Sequence, residues 1–171
     1  MNKAIFLDRD GVINEYLPND YVKNSKEFKL INGFKEFIEK HKNFYKFIVI
    51  TNQAGINKSL VKYSSFVKIS LFLIKNFGIE AVYFCPHREE ENCNCRKPKN
   101  LLLIKATKRF KIDIKNSYFI GDSYTDLLCA KSLNIKFILV LTGKTKRKDL
   151  EKWEEKPFLI VNNLTELNLI K

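Results

Sequence analysis

Four apolar residues lead directly into two aspartates near the start of the chain, in the sequence AIFLDRDG at residues 4–11. A run of this length is typical of a buried strand, and the charged residues mark its end. If the chain turns sharply at Gly11, the carboxylates of Asp8 and Asp10 project into one crevice. One could then attack an electrophile while the other transfers a proton. A solvated charged turn is the alternative interpretation of this stretch taken alone.

Apolar runs and amphipathic stretches alternate along the rest of the sequence. Six runs are too short for helices and predict buried strands: Ala4–Leu7, Phe47–Ile50, Ala81–Phe84, Tyr118–Ile120, Phe137–Leu141 and Phe158–Val161. Between them lie three apolar stripes at helical spacing, namely Phe34, Phe37, Ile38 and His41; Phe66, Ser70, Leu73, Ile74 and Phe77; and Leu102, Leu103, Ala106 and Phe110. Strands that alternate with helices predict an α/β fold with a mostly parallel sheet covered on both faces.

The length of 171 residues allows one sizeable core, so we expect a single domain over residues 1–171. No repeat, low-complexity tract or Gly/Ser linker marks a boundary within it. The segments that we expect to be irregular are residues 15–29, the cysteine-rich loop and residues 143–157. Hydrophobic residues make up 45% of the chain, which excludes an intrinsically disordered protein.

The chain is strongly basic, with 31 Lys and Arg against 19 Asp and Glu and a formal net charge of +12. Such a charge favours phosphorylated or polyanionic partners, but the basic residues are scattered. The densest stretch, Lys144–Lys148, is short and lacks interleaved aromatic residues that could stack on bases. We therefore expect no nucleic-acid partner. Because no segment approaches the ~18 apolar residues of a membrane span, we also expect no membrane partner and a cytoplasmic protein.

Polar motifs follow three of the predicted strands. Asp8 and Asp10 follow the first, the sequence TNQAG at residues 51–55 follows the second, and GDSYTD at residues 121–126 follows the strand that ends at Ile120. In a doubly wound sheet, ligands bind beyond the carboxyl ends of the strands, where the strand order reverses. Three motifs that converge there predict a catalytic site rather than three unrelated loops.

These residue types suit phosphoryl transfer, which needs an in-line nucleophile, a divalent cation and positive or hydrogen-bonding groups around the phosphoryl oxygens. Asp8 is the candidate nucleophile and Asp10 the candidate acid and base, with Asp122 as a Mg2+ ligand. Thr51 and Lys97 could hold the phosphoryl oxygens. The alternatives are a helix cap for Thr51 and a solvated surface position for Lys97.

The combination of motifs resembles the haloacid dehalogenase-like phosphatases. The resemblance rests on FLDRDGVIN at residues 6–14, Thr51-Asn52-Gln53, Cys95-Arg96-Lys97-Pro98 and Gly121-Asp122, and it extends from Ala4 to about Gly143. The most similar branch contains the D-glycero-D-manno-heptose 1,7-bisphosphate 7-phosphatases and the histidinol-phosphate phosphatases. The resemblance implies a single doubly wound, Rossmann-like domain without a large cap domain.

The resemblance also implies roles for individual residues. Asp8 would be the nucleophile and Asp10 the acid and base, and Mg2+ would be bound by Asp8, the backbone carbonyl of Asp10 and Asp122. Thr51 and Lys97 would steady the phosphoryl group. The residues expected to contact substrate are Asn52, Gln53, Ala54, Arg96 and Ser123. Asp126 is expected only to support the metal site, or else to act as a helix-start acid.

Three of the four cysteines lie within eleven positions, a crowding that in a reducing compartment indicates a metal site before a disulfide. The loop of residues 85–95 matches the zinc-binding loop of the same phosphatase group, with Cys85, His87, Cys93 and Cys95 as ligands. Three thiolates and one imidazole complete a tetrahedral Zn2+ site and leave no position for a catalytic water, so we expect structural zinc. Cys129 stands apart and is expected in the core.

The leading interpretation is therefore a Mg2+-dependent phosphatase without a large cap domain, which acts as a monomer on a small phosphorylated metabolite. A heptose 1,7-bisphosphate is the expected substrate. Histidinol phosphate, a nucleic-acid 3'-phosphate and a zinc-stapled binding module without activity are the alternatives. The sequence departs from the family pattern in three places: Val12, Ser123 and the tripeptide Pro98-Lys99-Asn100. Of these, Ser123 stands where the heptose enzymes carry a lysine, which affects the expected specificity rather than the chemistry.

Overall fold

The computed structural model describes residues 1–170 and contains one sheet of six parallel strands. The strands are β1 Ala4–Leu7, β2 Lys46–Asn52, β3 Ile79–Cys85, β4 Tyr118–Gly121, β5 Lys136–Val140 and β6 Leu159–Val161. Their order across the sheet is β3-β2-β1-β4-β5-β6. The chain therefore runs outward in one direction from β1, returns to the other side of β1, and runs outward again. This reversal places a topological switch point between β1 and β4.

Four helices cover the two faces of the sheet: α1 Phe34–His41, α2 Tyr63–Phe77, α3 Leu101–Phe110 and α4 Tyr124–Lys131. Apolar residues of α1 and α2 pack with one face of the strands, and those of α3 and α4 pack with the other. The predicted doubly wound α/β architecture is confirmed. It follows from the short apolar runs, which are buried on both sides because each parallel crossover lays a helix on the sheet.

The helical stripes are confirmed for α1, all four of whose predicted residues are buried. The stripe predicted for α2 is partly wrong, because Ile69 is buried while Ile74 is 37% exposed. In α3 the buried face includes Thr107, and Phe110 is only half-buried. Helix α4 has no clear apolar stripe in the sequence because its buried residues include the charged Asp126.

Strand boundaries differ from the prediction mainly at the carboxyl ends. Strands β2 and β3 continue to Asn52 and Cys85, so the polar motifs begin inside the last pairs of the sheet and not after them. Leu141 lies outside β5, and Phe158 lies outside β6 with a 61% exposed side chain. Short 3-10 turns interrupt both the cysteine-rich loop and the segment after β5. Among residues 1–170, no helix has the length and apolarity to cross a bilayer.

The C-terminal segment is fastened to α1 by buried hydrogen bonds. The ring of His41 binds the Phe37 carbonyl through Nδ1 at 2.8 Å and accepts from the Leu169 N–H through Nε2 at 3.1 Å. The hydroxyl of Tyr45 donates to the Leu169 carbonyl at 2.8 Å. These bonds fix His41 as the neutral tautomer with its proton on Nδ1, because a protonated ring has no acceptor for the Leu169 amide.

Candidate active site

The polar motifs meet at the switch point between β1 and β4. The amide of Asp8 donates to the Ile120 carbonyl at 3.0 Å, which continues the β1–β4 ladder to the last residue before the catalytic motif. Beyond it, Gly11 adopts a left-handed conformation with φ of 84° and turns the chain back over the strand end. Any side chain at Gly11 would overlap the Asp122 carboxylate, so the two motifs approach each other closely.

The carboxylate of Asp8 lies at the bottom of the crevice, with 14% of its side chain exposed. Its Oδ1 accepts from the Arg9 amide at 2.7 Å and contacts the Lys97 Nζ at 3.0 Å. Burial raises the pKa of Asp8 to about 6, and the neighbouring Asp126 and Asp10 carboxylates add to the increase while Lys97 opposes it. At neutral pH the group is therefore an anion held in a poorly solvated position.

Lys97 is buried between two carboxylates. Its ammonium contacts Asp126 Oδ1 at 2.6 Å and donates to the Ile50 carbonyl at 2.8 Å, besides its contact with Asp8. Burial disfavours the charged form, but the carboxylates of Asp126 and Asp8 outweigh it and hold the pKa of Lys97 above its usual value. The solvated-surface alternative for Lys97 is therefore wrong, and the site contains a fixed positive charge.

Asn52 fastens the segment that carries Lys97 to the end of β2. Its Nδ2 donates to the Lys97 carbonyl at 3.2 Å, and its Oδ1 accepts from the Lys97 amide at 3.0 Å. The side chain that was expected to contact substrate thus binds the protein backbone, although Asn52 also lines the cavity. Its amide positions Lys97 in the crevice.

Three carboxylates form a compact group beside Lys97. Asp8, Asp122 and Asp126 each bring one oxygen within 4.8 Å of the others. Burial raises the pKa of Asp122 well above its usual value, and the charges of Asp126 and Asp8 raise it further. Carboxylate oxygens are the ligands that Mg2+ prefers, and a divalent cation would relieve this repulsion. The residues present therefore fit a Mg2+ site.

Asp122 is held in place by the loop that follows β5. Its Oδ2 accepts from the Lys144 amide at 2.6 Å, and its carbonyl accepts from the Thr145 amide at 3.2 Å. A Cβ at Gly143 would overlap the Asp122 carboxylate, so this glycine is needed for the close approach. No sequence pattern connected residues 143–145 with the site, and the segment was predicted only to be irregular.

Asp126 is fully buried and binds only protein groups. Its Oδ2 accepts from the Ser123 hydroxyl at 2.6 Å and from the amides of Asp122 and Ser123 at 3.3 and 3.2 Å. Its other oxygen faces Lys97. Asp126 therefore links the start of α4 to Lys97, and a supporting role in the metal site stays the prediction for it. The Ser123 hydroxyl donates to Asp126, while the residue itself lines the cavity.

The Asp10 carboxylate points away from the other three. It accepts from Arg9, Asn14 and Gln53, with the shortest distance to each at 2.9 Å. Only its backbone carbonyl is then left for a metal. The Gln53 side chain is fully buried and does not line the cavity, and its contact with substrate stays a prediction. No role was predicted for Arg9 or Asn14. Both side chains are buried, although one is charged and the other is polar.

Thr51 and Ala54 are buried at the end of β2 and do not line the cavity. The Thr51 hydroxyl accepts from Gln53 Nε2 at 3.1 Å. A phosphoryl contact by Thr51 stays a prediction, as does a contact by the Ala54 backbone.

A cavity of about 870 Å3 opens above the carboxylates. Its wall includes the predicted Arg96 and also Tyr21, together with Tyr16 and Lys58, for which no role was predicted. Lys58 lies 3.2 Å from the Tyr21 hydroxyl, which joins two of the wall loops. These wall residues lie in loops at irregular sequence spacing, so hydrophobic periodicity could not predict their positions.

The cysteine-rich loop forms a second candidate metal site next to the cavity. Sγ of Cys85 lies 3.5 Å from His87 Nδ1, 3.5 Å from Cys93 Sγ and 3.2 Å from Cys95 Sγ. All four groups can offer a ligand atom to one ion, and none of these cysteines is in a disulfide. A Cys3His set of this compactness fits tetrahedral Zn2+ with all positions filled. Cys129 is buried in the core, as expected.

Comparison with family models matches residues 94–167 to a family described as haloacid dehalogenase hydrolase-like. Among curated proteins, the D-glycero-beta-D-manno-heptose-1,7-bisphosphate 7-phosphatase of Helicobacter pylori is 39% identical over 147 residues, which is 82% of this chain and 84% of that protein. The D-glycero-alpha-D-manno-heptose-1,7-bisphosphate 7-phosphatase of Campylobacter jejuni is 38% identical, over 86% of this chain and 87% of its own.

Among solved structures, the D,D-heptose 1,7-bisphosphate phosphatase of B. bronchiseptica, complexed with magnesium and phosphate, superposes with a TM-score of 0.83. The two chains are 28% identical, and the match covers 95% of this chain and 93% of the other. Relatives and this chain thus share both the fold and nearly their whole length.

Proposed function

The chain belongs to the haloacid dehalogenase-like D-glycero-D-manno-heptose 1,7-bisphosphate 7-phosphatases, and from this we propose that it removes the 7-phosphate of such a heptose bisphosphate. The observation that carries the proposal is the contact of Asp8 with Lys97, beside Asp122, at the switch point of the sheet. A nucleophilic carboxylate, a fixed cation and a metal-ligand group within one crevice are what a phosphoryl transfer needs.

In the first step, the Asp8 carboxylate attacks phosphorus and the ester P–O bond breaks, which leaves an aspartyl phosphate on Asp8. Asp10 donates its proton to the departing sugar oxygen, so that an alcohol and not an alkoxide leaves. The partial exposure of the Asp10 side chain, 28%, gives it access to the cavity for this transfer.

In the second step, Asp10 takes a proton from water, and the resulting hydroxide attacks phosphorus. The Asp8–phosphorus bond breaks, inorganic phosphate leaves and the Asp8 carboxylate is restored. Asp10 is then protonated again and ready for the next substrate. One residue serves as acid and then as base because the two half-reactions run in opposite directions.

Charge in the crevice is balanced by residues around Asp8. Lys97 neutralises phosphoryl charge without needing to move, because the Asn52 bonds and the Ile50 carbonyl already fix its position. Asp8, Asp122 and the Asp10 carbonyl would hold Mg2+, which would supply further positive charge to the phosphoryl oxygens. Arg96, on the cavity wall next to Lys97, is the proposed contact for the rest of the substrate.

The decisive experiment is phosphate release from both anomers of D-glycero-D-manno-heptose 1,7-bisphosphate, with and without Mg2+. Both anomers are needed because the curated relatives include enzymes named for each. Histidinol phosphate and a 3'-phosphorylated oligonucleotide complete the panel, and Asp8→Asn is the inactive control. Preferential release from one heptose anomer is expected. Preference for histidinol phosphate or the oligonucleotide would contradict the heptose assignment, and no release at all would favour a binding module.

We further infer that the enzyme works as a monomer in the cytoplasm. All residues proposed for the site come from one chain, so a second copy is not needed to complete it. Four free cysteines, three of them in a metal-type cluster, suit a reducing compartment. Sedimentation at assay concentrations tests the first point, and cell fractionation tests the second.

A further inference from the structure

The carboxylate of Asp10 is held from behind by three side chains. Arg9 donates through Nη2 to both carboxylate oxygens, at 2.9 and 3.0 Å. Asn14 donates to Oδ1 and Gln53 to Oδ2, each at 2.9 Å. Arg9, Asn14 and Gln53 are all buried, whereas Asp10 reaches the cavity. The carboxylate that acts as acid and base in the proposed reaction is thus held by hydrogen bonds to both of its oxygens.

The two amides bind Asp10 at the expense of their own carbonyl groups. Asn14 Oδ1 and Gln53 Oε1 are buried and have no hydrogen-bond partner within residues 1–170. Rotating either amide by half a turn would bring its oxygen against an oxygen of Asp10 and would remove the donor that this oxygen now accepts from. Buried polar atoms without partners are rare in folded proteins. Their presence here indicates that these amides are arranged around Asp10 and not for their own hydrogen bonding.

Gln53 connects Asp10 to the end of β2. The same Nε2 that donates to Asp10 lies 3.1 Å from the Thr51 hydroxyl. The backbone of Gln53 is itself fixed, because its amide donates to the Cys85 carbonyl at 2.7 Å. Asp10 follows β1, so this side chain sets the distance between the Asp10 carboxylate and the neighbouring strand.

We propose that Gln53, with Asn14 as its counterpart on the other oxygen, is a positioning residue that holds the Asp10 carboxylate in line with the leaving oxygen of the substrate. This inference rests on the proposed function, since it takes Asp10 as the acid and base. Gln53 does not line the cavity, and its shortest side-chain hydrogen bond is the one to Asp10. Its loss should therefore affect the proton transfer and not the binding of substrate.

The test is Gln53→Met, which keeps the length of the side chain and removes the donor. With an alkyl phosphate, the alkoxide needs a proton to leave, and misplacing the acid should lower kcat by about 100-fold with little change in KM. With p-nitrophenyl phosphate, the weakly basic phenolate leaves without a proton, so the first turnover, measured as a burst, should fall much less. A change in this alkyl-to-aryl ratio is not expected from a general loss of structure.

Thr107→Val is the matched control, because it removes a buried side-chain donor from α3, away from the cavity. It should leave the ratio as in the wild type. An equal fall with both substrates in folded Gln53→Met, or no fall, would overturn the inference. If Gln53→Met does not fold, Gln53→Leu replaces it, since leucine is uncharged, is close to glutamine in size and has no donor.

A crystal structure of the Gln53 variant separates this inference from the proposed function. A displaced or doubly oriented Asp10 carboxylate is expected. An unchanged carboxylate would overturn the positioning role even if the wild type is an active phosphatase. Conversely, a wild type without activity on the whole panel would reject the proposed function, while the position of Asp10 in the variant would still decide whether Gln53 holds it.

Discussion

Single residues in the crevice carry charge where water is scarce, and Asp8 is the clearest case. Burial raises its pKa to about 6, so the folded protein holds this carboxylate at a cost in free energy. Asp8→Asn removes that charge and nearly preserves the volume. We expect turnover to fall by at least about a thousandfold while the thermal midpoint stays the same or rises. Asp113→Asn, a change to a half-buried aspartate that does not line the cavity, is the control. Wild-type-like phosphate release from Asp8→Asn would contradict the mechanism.

Gly143 has no side chain, and the Asp122 carboxylate occupies the space that a side chain at this position would need. A Cβ at this position would overlap the Asp122 carboxylate, so Gly143→Ala must displace a proposed Mg2+ ligand. We expect weaker Mg2+ binding by calorimetry and a loss of activity on the order of 100-fold. Gly78→Ala is the matched control, because a Cβ there meets no neighbour and only its positive φ is strained. Equal Mg2+ affinity in Gly143→Ala and the wild type would contradict the contact.

At the scale of elements, the cysteine-rich loop joins a metal site to the catalytic crevice. Cys93→Ser removes one of four proposed zinc ligands, so we expect loss of zinc and a lower thermal midpoint. We also expect reduced activity, because Lys97 directly follows the loop. Metal analysis of the purified protein measures the first effect. Cys129→Ser should keep its zinc, since Cys129 lies outside the cluster. Full zinc occupancy in Cys93→Ser would discredit the Cys3His assignment.

The attachment of the C-terminal segment to α1 should depend on pH through His41. Burial lowers the pKa of this ring below 6.5, so between the two pKa values the unfolded chain binds a proton that the folded protein does not. Stability should therefore decrease as the pH falls below about 6.5. His41→Leu should be less stable at pH 8, by about 2 kcal/mol for two lost hydrogen bonds. In the wild type the urea midpoint should fall between pH 7 and 5, and in His41→Leu this fall should be smaller. An equal fall in both proteins would contradict this role for His41.

At the scale of the whole molecule, the net charge of +12 should act on an anionic substrate before it binds. We expect kcat/KM for a sugar bisphosphate to fall several-fold as NaCl rises from about 20 to 200 mM. The added salt shortens the distance over which exposed charges act to less than ~10 Å. The value of kcat should change little. A flat kcat/KM over this range would mean that the scattered lysines do not steer the substrate.

Much of this fold could be predicted because the inner strands β1, β2, β4 and β5 are buried on both faces and form short apolar runs. Helix α4 could not be predicted from periodicity, since the buried face at its start carries Asp126 for the site and not an apolar residue. The shift in α2 has a similar cause, because Ser70 and Ile74 fit a helical stripe as well as Ile69 does. Only tertiary packing decides which of them faces the sheet.

The parts of the site that could be predicted are those next to a strand end, such as Asp8 and Asp122. Arg9 and Asn14 could not be predicted, because a buried arginine and a buried amide have no periodic signature and are explained only by the carboxylate that they surround. The contact of Gln53 with Asp10 could not be predicted for the same reason. Its position in the sequence indicated the crevice, but not which way its side chain points.

The zinc loop is tied to the end of β2 on both sides. The amide of Gln53, just after β2, donates to the Cys85 carbonyl, and Asn52 binds the backbone of Lys97, just after the loop. A chelator that strips both ions would therefore disturb the acid, the fixed cation and the magnesium ligands together. Inactivation by EDTA, a routine criterion for magnesium dependence, is ambiguous in this protein. Only stepwise reconstitution, with zinc returned before magnesium is titrated, can assign the lost activity to one ion.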